Sequence, residues 1–486
     1  MSAPTLFHPR EMGTDGDSDI QSFKSESLTT AQFILLGGLA AAAAGQGGFY
    51  IGPRLMVTAT LAAAGTLHFR RRGGHVAYLR QPVILALGAL AGWAVISAFL
   101  AGHPMASLSM VSVIASFGVV AVIVGEASRA QRRQLAKASI ALGAAVAMSG
   151  WIGVAFRLTR WASPESGLWR AETTVTYTNA AAAVMAALAL LAIAMLVGRS
   201  SVAGRVAAMV LILGVGATLS RAAIVGLALG YCVLLGLLGV RRVVGATAGI
   251  VVGAAIAAIA LTFSMPVRSD NRAGLAILGL LVGAGVAMAP TLTGRRATGL
   301  AVAALALALC GAAIGLSRSP SSSGSAGPAG WNERISISSP SRGQETRAAL
   351  ALVRAHLLTG TGPGQATFLW STPDRHLLVD SYAHDEYLQL AAEVGLIGVS
   401  LLLLLLVAIT RRVLSGRSVI DDPVDSHCWM WAGGATSLVY LAVHSGFDFL
   451  WHVPVVVLVA AILLGLCSPP PLAPLSTTTN QPEELP

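Results

Sequence analysis

Charged residues are scarce in this chain. Asp, Glu, Lys and Arg make up 11% of its 486 residues, against 55% hydrophobic, and the mean hydropathy is +0.72. A soluble domain carries about a quarter charged residues to cover its surface, so a soluble globular fold is excluded. Strict two-residue alternation of apolar and polar residues is missing, which argues against an outer-membrane barrel. Cysteines number four, Cys232, Cys310, Cys428 and Cys467; they lie in or beside apolar runs and share no metal-ligand spacing. They read as small apolar residues, and no metal site is expected. The opening lacks the basic start and early apolar core of a cleavable signal peptide; it is polar, with Glu11, Asp15, Asp17 and Asp19.

What the chain does have is a succession of apolar runs of about 20 residues, the length of helix that crosses a hydrocarbon core. Backbone groups in lipid must pair internally, so these runs are expected to be helices. Their centres fall near residues 39, 59, 92, 116, 147, 187, 212, 231, 254, 282, 307, 398, 439 and 460. The expected fold is therefore all-α, a polytopic transmembrane bundle of about 12–14 spans with a partly helical outer-face loop domain. Residues 1–30 form a disordered cytoplasmic N-terminus, 31–317 transmembrane helices, 318–384 a large extracytoplasmic loop, 385–467 the C-terminal transmembrane helices, and 468–486 a disordered cytoplasmic tail rich in Pro, Thr and Ser.

The net charge of +10 and pI near 10.1 do not imply nucleic acid. The basic residues sit between apolar runs, where the positive-inside rule puts them. Arg70, Arg71, Arg72 and Arg80 follow the second run; Arg129, Arg132, Arg133 and Lys137 the fourth; Arg199 and Arg205 the sixth; Arg241 and Arg242 the eighth; Arg295 and Arg296 the tenth; Arg411, Arg412 and Arg417 the twelfth. Every even exit is basic, which orients the chain with both termini inside. Other basic residues fall on the outer side and are left unexplained by topology: Arg157, Arg160, Arg170, Arg221, Arg268, Arg272 and, in the long loop, Arg318, Arg334, Arg342, Arg347, Arg354 and Arg375.

Within that loop, Ser319–Gly330 reads as a flexible linker. Ser341 and Gln344 match a capping box, and Ala348, Ala349, Leu352, Val353 and Leu357 follow at helical spacing, predicting an amphipathic helix over 342–357. Gly360, Gly362, Pro363 and Gly364 end it in a turn. His384 stands at the mouth of the next apolar run. Guanidinium is shaped for bidentate phosphate binding, and imidazole titrates near neutrality. Arg221, Arg342 and His384 together describe a site for a lipid phosphate and a proton transfer; an anion transporter would carry similar residues.

The stretch from His384 through Glu393 and Gly395 to Gly398 (HDEYLQLAAEVGLIG) resembles the signature of the O-antigen ligase and polymerase superfamily. Upstream, Ser341-Arg342 to Arg347, followed by His356 to Gly364, is similar to that family's preceding loop. Ser220-Arg221 is similar to its Ser-Arg element, and Arg170 to Asn179 to its Asn-containing element. The four elements occur in family order. The sequence departs from the pattern at Asp385, where Asn is usual, at Thr346 for Trp, at Leu357 for Pro, and at Ala180 and Ala181.

The resemblance implies a metal-independent, inverting glycosyltransferase without cofactor in a bacterial inner membrane, its site facing the periplasm. The donor would be a glycan on undecaprenyl pyrophosphate. The acceptor would be lipid A–core in the ligase branch or another lipid-linked glycan in the polymerase branch. His384 would orient the acceptor or accept its proton, and Arg221 and Arg342 would hold the pyrophosphate. Arg170, Asn179, Arg347 and Tyr382 are further candidates for binding donor or glycan; Tyr382 can stack on a sugar ring. Glu393 lies nine residues past His384, about 13 Å along a helix and on roughly the opposite side, so it is expected to make an inward structural contact with an arginine. Gly395 and Gly398 are expected to permit close helix packing. His444 and Asp448, four apart, are expected to form a structural polar pair on one helix face. A lipid-linked sugar flippase is the alternative from another class; it should show paired repeats with broken helices, and no such repeat is evident.

Overall fold

The computed structural model describes residues 27–71, 80–289, 340–371, 377–417 and 426–469. Among these are fourteen α-helices: α1 (Thr30–Ala44), α2 (Ile51–Arg71), α3 (Pro82–Leu100), α4 (Ser107–Gly125), α5 (Arg129–Phe156), α6 (Thr178–Gly198), α7 (Val202–Ala217), α8 (Arg221–Leu238), α9 (Val240–Thr262), α10 (Ala273–Met288), α11 (Pro340–Ala355), α12 (Glu386–Arg417), α13 (Ser426–Ser445) and α14 (Pro454–Cys467). Every expected span centre lies in one of them except that at residue 307, which falls outside the described residues, as does the linker Ser319–Gly330. Seven of the helices are long and apolar enough to cross a membrane by length and composition. The chain is an all-α, multi-pass membrane protein.

Two antiparallel hairpins are the only sheet among the described residues. Strand β1 (Ala162–Glu165) pairs with β2 (Leu168–Ala171), and β3 (Phe368–Ser371) with β4 (Leu377–Asp380). Helix α6 is the axis of the bundle, packed by α5, α7, α8, α9 and α13 and buried along nearly its whole length. Its run Ala180–Ala183 has no exposed surface. Small side chains let neighbouring backbones approach closely where there is no water to drive association. Helices α3 and α8 lie at the perimeter and keep most of their apolar surface outward.

The helix ends sort the polar residues. At one end, His68 Nε2 lies 2.9 Å from Glu126, and Arg132, fully buried, donates to the carbonyls of Ala127, Gly125 and Ser468. Arg412 donates to Ser468 Oγ there. These join the C-terminal ends of α2, α4, α12 and α14 with the N-terminal end of α5, so the basic exits of the second, fourth and twelfth runs collect together. Arg170, Asn179, Arg221 and His384 are at the other end, among the N-termini of α6, α8, α12 and α14. Arg157, in a left-handed turn after α5, donates to the carbonyls of Ser264 and Pro266 and so ties down the α9–α10 loop. These contacts give Arg157 a structural role.

Helix α11 begins at Pro340, two residues before the expected start, so Ser341 lies inside it rather than capping it. Proline at the first helical position is pre-organised for that conformation and has no N–H to leave orphaned. Helix α12 is broken at Gly395, where φ is 66° and ψ −172°. The carbonyls this frees are taken up from outside the helix: Ala392 by Thr361 N–H at 2.9 Å, Glu393 by Gly362 N–H at 2.9 Å, and Val394 by Trp93 Nε1 at 2.8 Å. The freed N–H of Leu396 donates to the Leu357 carbonyl at 2.9 Å. Gly395 is therefore a break filled by the loop after α11. A Cβ on Gly398 would meet the side chains of Val394 and Trp93. Gly360, Gly362 and Gly364 take positive φ in the turn that follows α11.

Candidate functional site

Asp385 caps α12: its Oδ1 accepts from Tyr387 N–H at 3.0 Å and Leu388 N–H at 3.1 Å. Asp and Asn serve equally at an N-cap, so the departure from Asn is physically conservative. The cap turns the chain so that His384, at φ 41°, projects away from the helix start. Its Nδ1 lies 3.1 Å from Asp448 Oδ1, and its ring rests 5.2 Å from that of Phe449. The side chain of His384 keeps 31% of its surface open while that of Asp448 has none. Among the described residues Nε2 of His384 has no hydrogen-bond partner. A carboxylate at Nδ1 fixes the tautomer with the proton there and leaves Nε2 as the acceptor.

Asp448 is saturated. Tyr177 donates to Oδ1 at 2.5 Å, Phe449 N–H donates to Oδ1 at 2.9 Å, and Asn179 Nδ2 donates to Oδ2. Burial pushes its carboxyl up, but His384 and these donors pull it below the ordinary aspartate range. Burial likewise lowers His384, and the hydrogen bond and charge of Asp448 outweigh it, with Glu345 and Asp380 adding to the rise, so the imidazole titrates above its ordinary value.

The line continues. Asn179 Oδ1 accepts from Arg170 Nη2 at 3.4 Å; Arg170 Nε donates to the Thr218 carbonyl at 2.7 Å, and Nη1 pairs with Glu165. Arg170 thus anchors the α7–α8 turn, three residues before Arg221, to the residues around His384. Arg221 is half-buried at the first position of α8. Arg342 lies in the first turn of α11, its side chain outside the described atoms. Glu345, one turn on, is buried and its charge acts on His384, so that face of α11 looks towards the histidine. Arg347 is exposed, roughly 200° round the helix from Glu345, and does not join the cluster. Replacing Arg170 by Lys removes the planar fork that serves three acceptors at once; a loss of about 1–3 kcal/mol in unfolding free energy is expected, read by thermal melting, with Glu165→Gln milder.

Tyr382 stacks on Phe449 with ring centroids 4.2 Å apart, and Tyr177 stacks on the same Phe449 at 4.8 Å. Among the described residues Glu393 meets no arginine. It accepts from Gln389 Nε2 at 2.6 Å, and its Oε1 lies 3.5 Å from His452 Nε2. His452 reaches it because the turn before α14 folds back on α12. The expected His444–Asp448 pair does not form: α13 ends at Ser445, and His444 bonds Tyr440 instead, at 2.9 Å. Asp448, His452, Phe449, Tyr177 and Arg54 are the site's unanticipated members. Arg54 donates to the carbonyls of Phe49 at 2.8 Å and His452 at 3.1 Å.

A family model described as O-antigen ligase matches residues 259–403, a stretch that contains Arg342, Tyr382, His384 and Glu393 but not Arg170, Asn179, Arg221 or Asp448. No curated protein matches the chain.

Proposed function

We propose that this chain, whose residues 259–403 match a family model described as O-antigen ligase, is a membrane glycosyltransferase that moves a glycan from undecaprenyl pyrophosphate to a glycolipid or glycan acceptor at the outer face of a bacterial inner membrane. The observation that carries this reading is the His384–Asp448 pair at the head of the family signature. An acceptor hydroxyl attacks the anomeric carbon. Its proton passes to Nε2 of His384, the new C–O bond forms, and the bond to the pyrophosphate oxygen breaks with the electron pair leaving on the lipid pyrophosphate. Attack from the face opposite the leaving group inverts the anomeric centre. Arg221 and Arg342 take up the charge that develops on the pyrophosphate. Asp448 holds the tautomer and stabilises the imidazolium. The collection of basic helix exits at the opposite end of the bundle supports an outward-facing site.

The test is a reconstituted assay with lipid-linked glycan and candidate acceptors, comparing wild type with Arg221→Ala and His384→Ala. Full transfer by both variants would sink the mechanism. Movement of intact donor across the bilayer without transfer would point to a flippase.

A pH profile gives a separate expectation. His384 must be neutral to accept a proton, and its pKa is raised above 6.5. Activity should therefore climb with pH along a limb lying above the ordinary histidine value. Asp448→Asn removes the charge that raises it, so the limb should move to lower pH while the plateau falls. A limb that does not move would separate Asp448 from the titrating group.

A further inference from the structure

One buried ionic cluster plays no part in that chemistry. Behind the Tyr382–Phe449 stack, the His452 imidazole lies between two carboxylates of α12, with Nδ1 3.1 Å from Glu386 Oε1 and Nε2 3.5 Å from Glu393 Oε1. Glu386 and Glu393 are seven residues apart, two helical turns, so both face it. They are 1% and 3% exposed. The second oxygen of Glu386 accepts from Trp451 N–H at 2.7 Å, and Arg54 grips the His452 carbonyl from α2. Two carboxylates buried in a membrane bundle are costly unless paired, and such groups mark function more often than stability.

The placement of the cluster indicates its use. Glu386 lies two residues after His384, and His452 lies four residues after Asp448. Between α13 and α14 the described chain has only one short 3₁₀ turn, Leu450–His452, and no regular ladder to hold it. Fixing residue 386 to residue 452 therefore fixes 384 to 448. Gln389, from the same face of α12, secures the other flank: its Oε1 accepts from Ala383 N–H at 2.8 Å and its Nε2 donates to the Ser381 carbonyl at 3.1 Å.

We propose that Glu386, His452 and Glu393 form an ionic clamp whose task is to position Asp448 against His384. They are positioning residues and touch no reacting group. Burial works against the charged form of His452, but the two carboxylates outweigh it and push its pKa up to about 10, so the clamp stays closed throughout the neutral range. The groups facing His452 are Glu386 and Glu393, with Tyr382 edge-on. Those facing His384 are Asp448, Glu345 and Asp380. Glu393 meets His452 and Gln389 rather than His384, so in this arrangement its neutralisation reaches His384 through the geometry of Asp448.

The proposal rests on the catalytic reading for its kinetic arm but not for its titration arm. The full chain in lipid nanodiscs, carrying ¹³C-labelled histidine, is titrated as wild type, Glu393→Gln and His452→Gln; the His384 resonance is the one lost in His384→Gln. The His384 midpoint should fall by about half a pH unit or more in both variants as the Asp448 contact loosens. Transfer should lose about 10-fold or more in kcat with donor KM nearly unchanged. Glu393→Gln is nearly isosteric and carries the test alone if His452→Gln does not fold. An unchanged His384 midpoint in a variant with the wild-type melting temperature overturns the clamp. A wild type that transfers no glycan overturns the enzymatic reading, and the titration then still decides the clamp.

Discussion

His384→Ala should reduce glycan transfer about 10²–10⁴-fold, the range associated with loss of a general base, while binding of lipid-linked donor persists. The size follows from losing the imidazole whose ring stays partly open beside Asp448. Asp448 cannot stand in, because it is wholly buried and its oxygens already serve Tyr177, Asn179 and the Phe449 amide. Asp448→Ala should cost much of the same factor, since without it the imidazole loses both tautomer and orientation. The two losses should not add: His384→Ala with Asp448→Ala should be no slower than His384→Ala alone, because residues acting as one unit give non-additive effects. Arg221→Ala should behave differently, lowering kcat and weakening donor binding together, because a charge on pyrophosphate is held before and during bond breaking. Initial rates and donor affinity for the four proteins check all of this. Retention of more than a tenth of the wild-type rate by His384→Ala would remove it as the base.

The helices were legible because the apolar runs are long and the arginines between them mark one end of the bundle. His384 was legible because it heads a motif that is local in sequence. Its partner was not. Asp448 stands four residues from His444, a spacing that suggests a helical pair, but α13 stops at Ser445 and the turn carries Asp448 across to a residue 64 positions earlier. Gly446 and Pro454, bracketing that turn, are the only sequence hints that the helical rule lapses there. The same fold-back explains Glu393: an arginine is the commoner partner for a buried carboxylate, and His452 becomes available only once the turn lies against α12. Arg54 gave no signal because its acceptors are backbone carbonyls, which no pattern of side chains records.

The largest stability effect is expected at Gly395, and it shows how the fold carries the site. At φ 66° and ψ −172° the residue occupies a region essentially restricted to glycine. A Cβ there would also stand 2.2 Å from the Leu358 carbonyl oxygen, and one on Gly360 would stand 2.3 Å from the Glu393 backbone, so the loop and the helix break meet without room for a methyl group on either side. Gly395→Ala thus combines backbone strain with a backbone collision that no side-chain rotation relieves; a loss of at least about 3 kcal/mol is expected. Gly364→Ala separates the two terms. Its φ is also 66°, but nothing lies within 4 Å of its Cβ, so only the strain of about 1–2 kcal/mol remains. Denaturant titration of both variants in the same detergent reads the difference. Closing the break into continuous helix would satisfy α12 internally but would evict the 357–362 loop, whose N–H and C=O groups now complete α12, and irregular backbone at membrane depth persists only while so paired. That loop is the tether between α12, which begins beside His384, and α11, which carries Arg342 and Glu345. Any Gly395→Ala protein that survives folding should therefore lose transfer more than donor binding, because the arginine-bearing helix is no longer fixed relative to the histidine. Equal melting of Gly395→Ala and Gly364→Ala would show that the close approach contributes nothing and that the break is held by its hydrogen bonds alone.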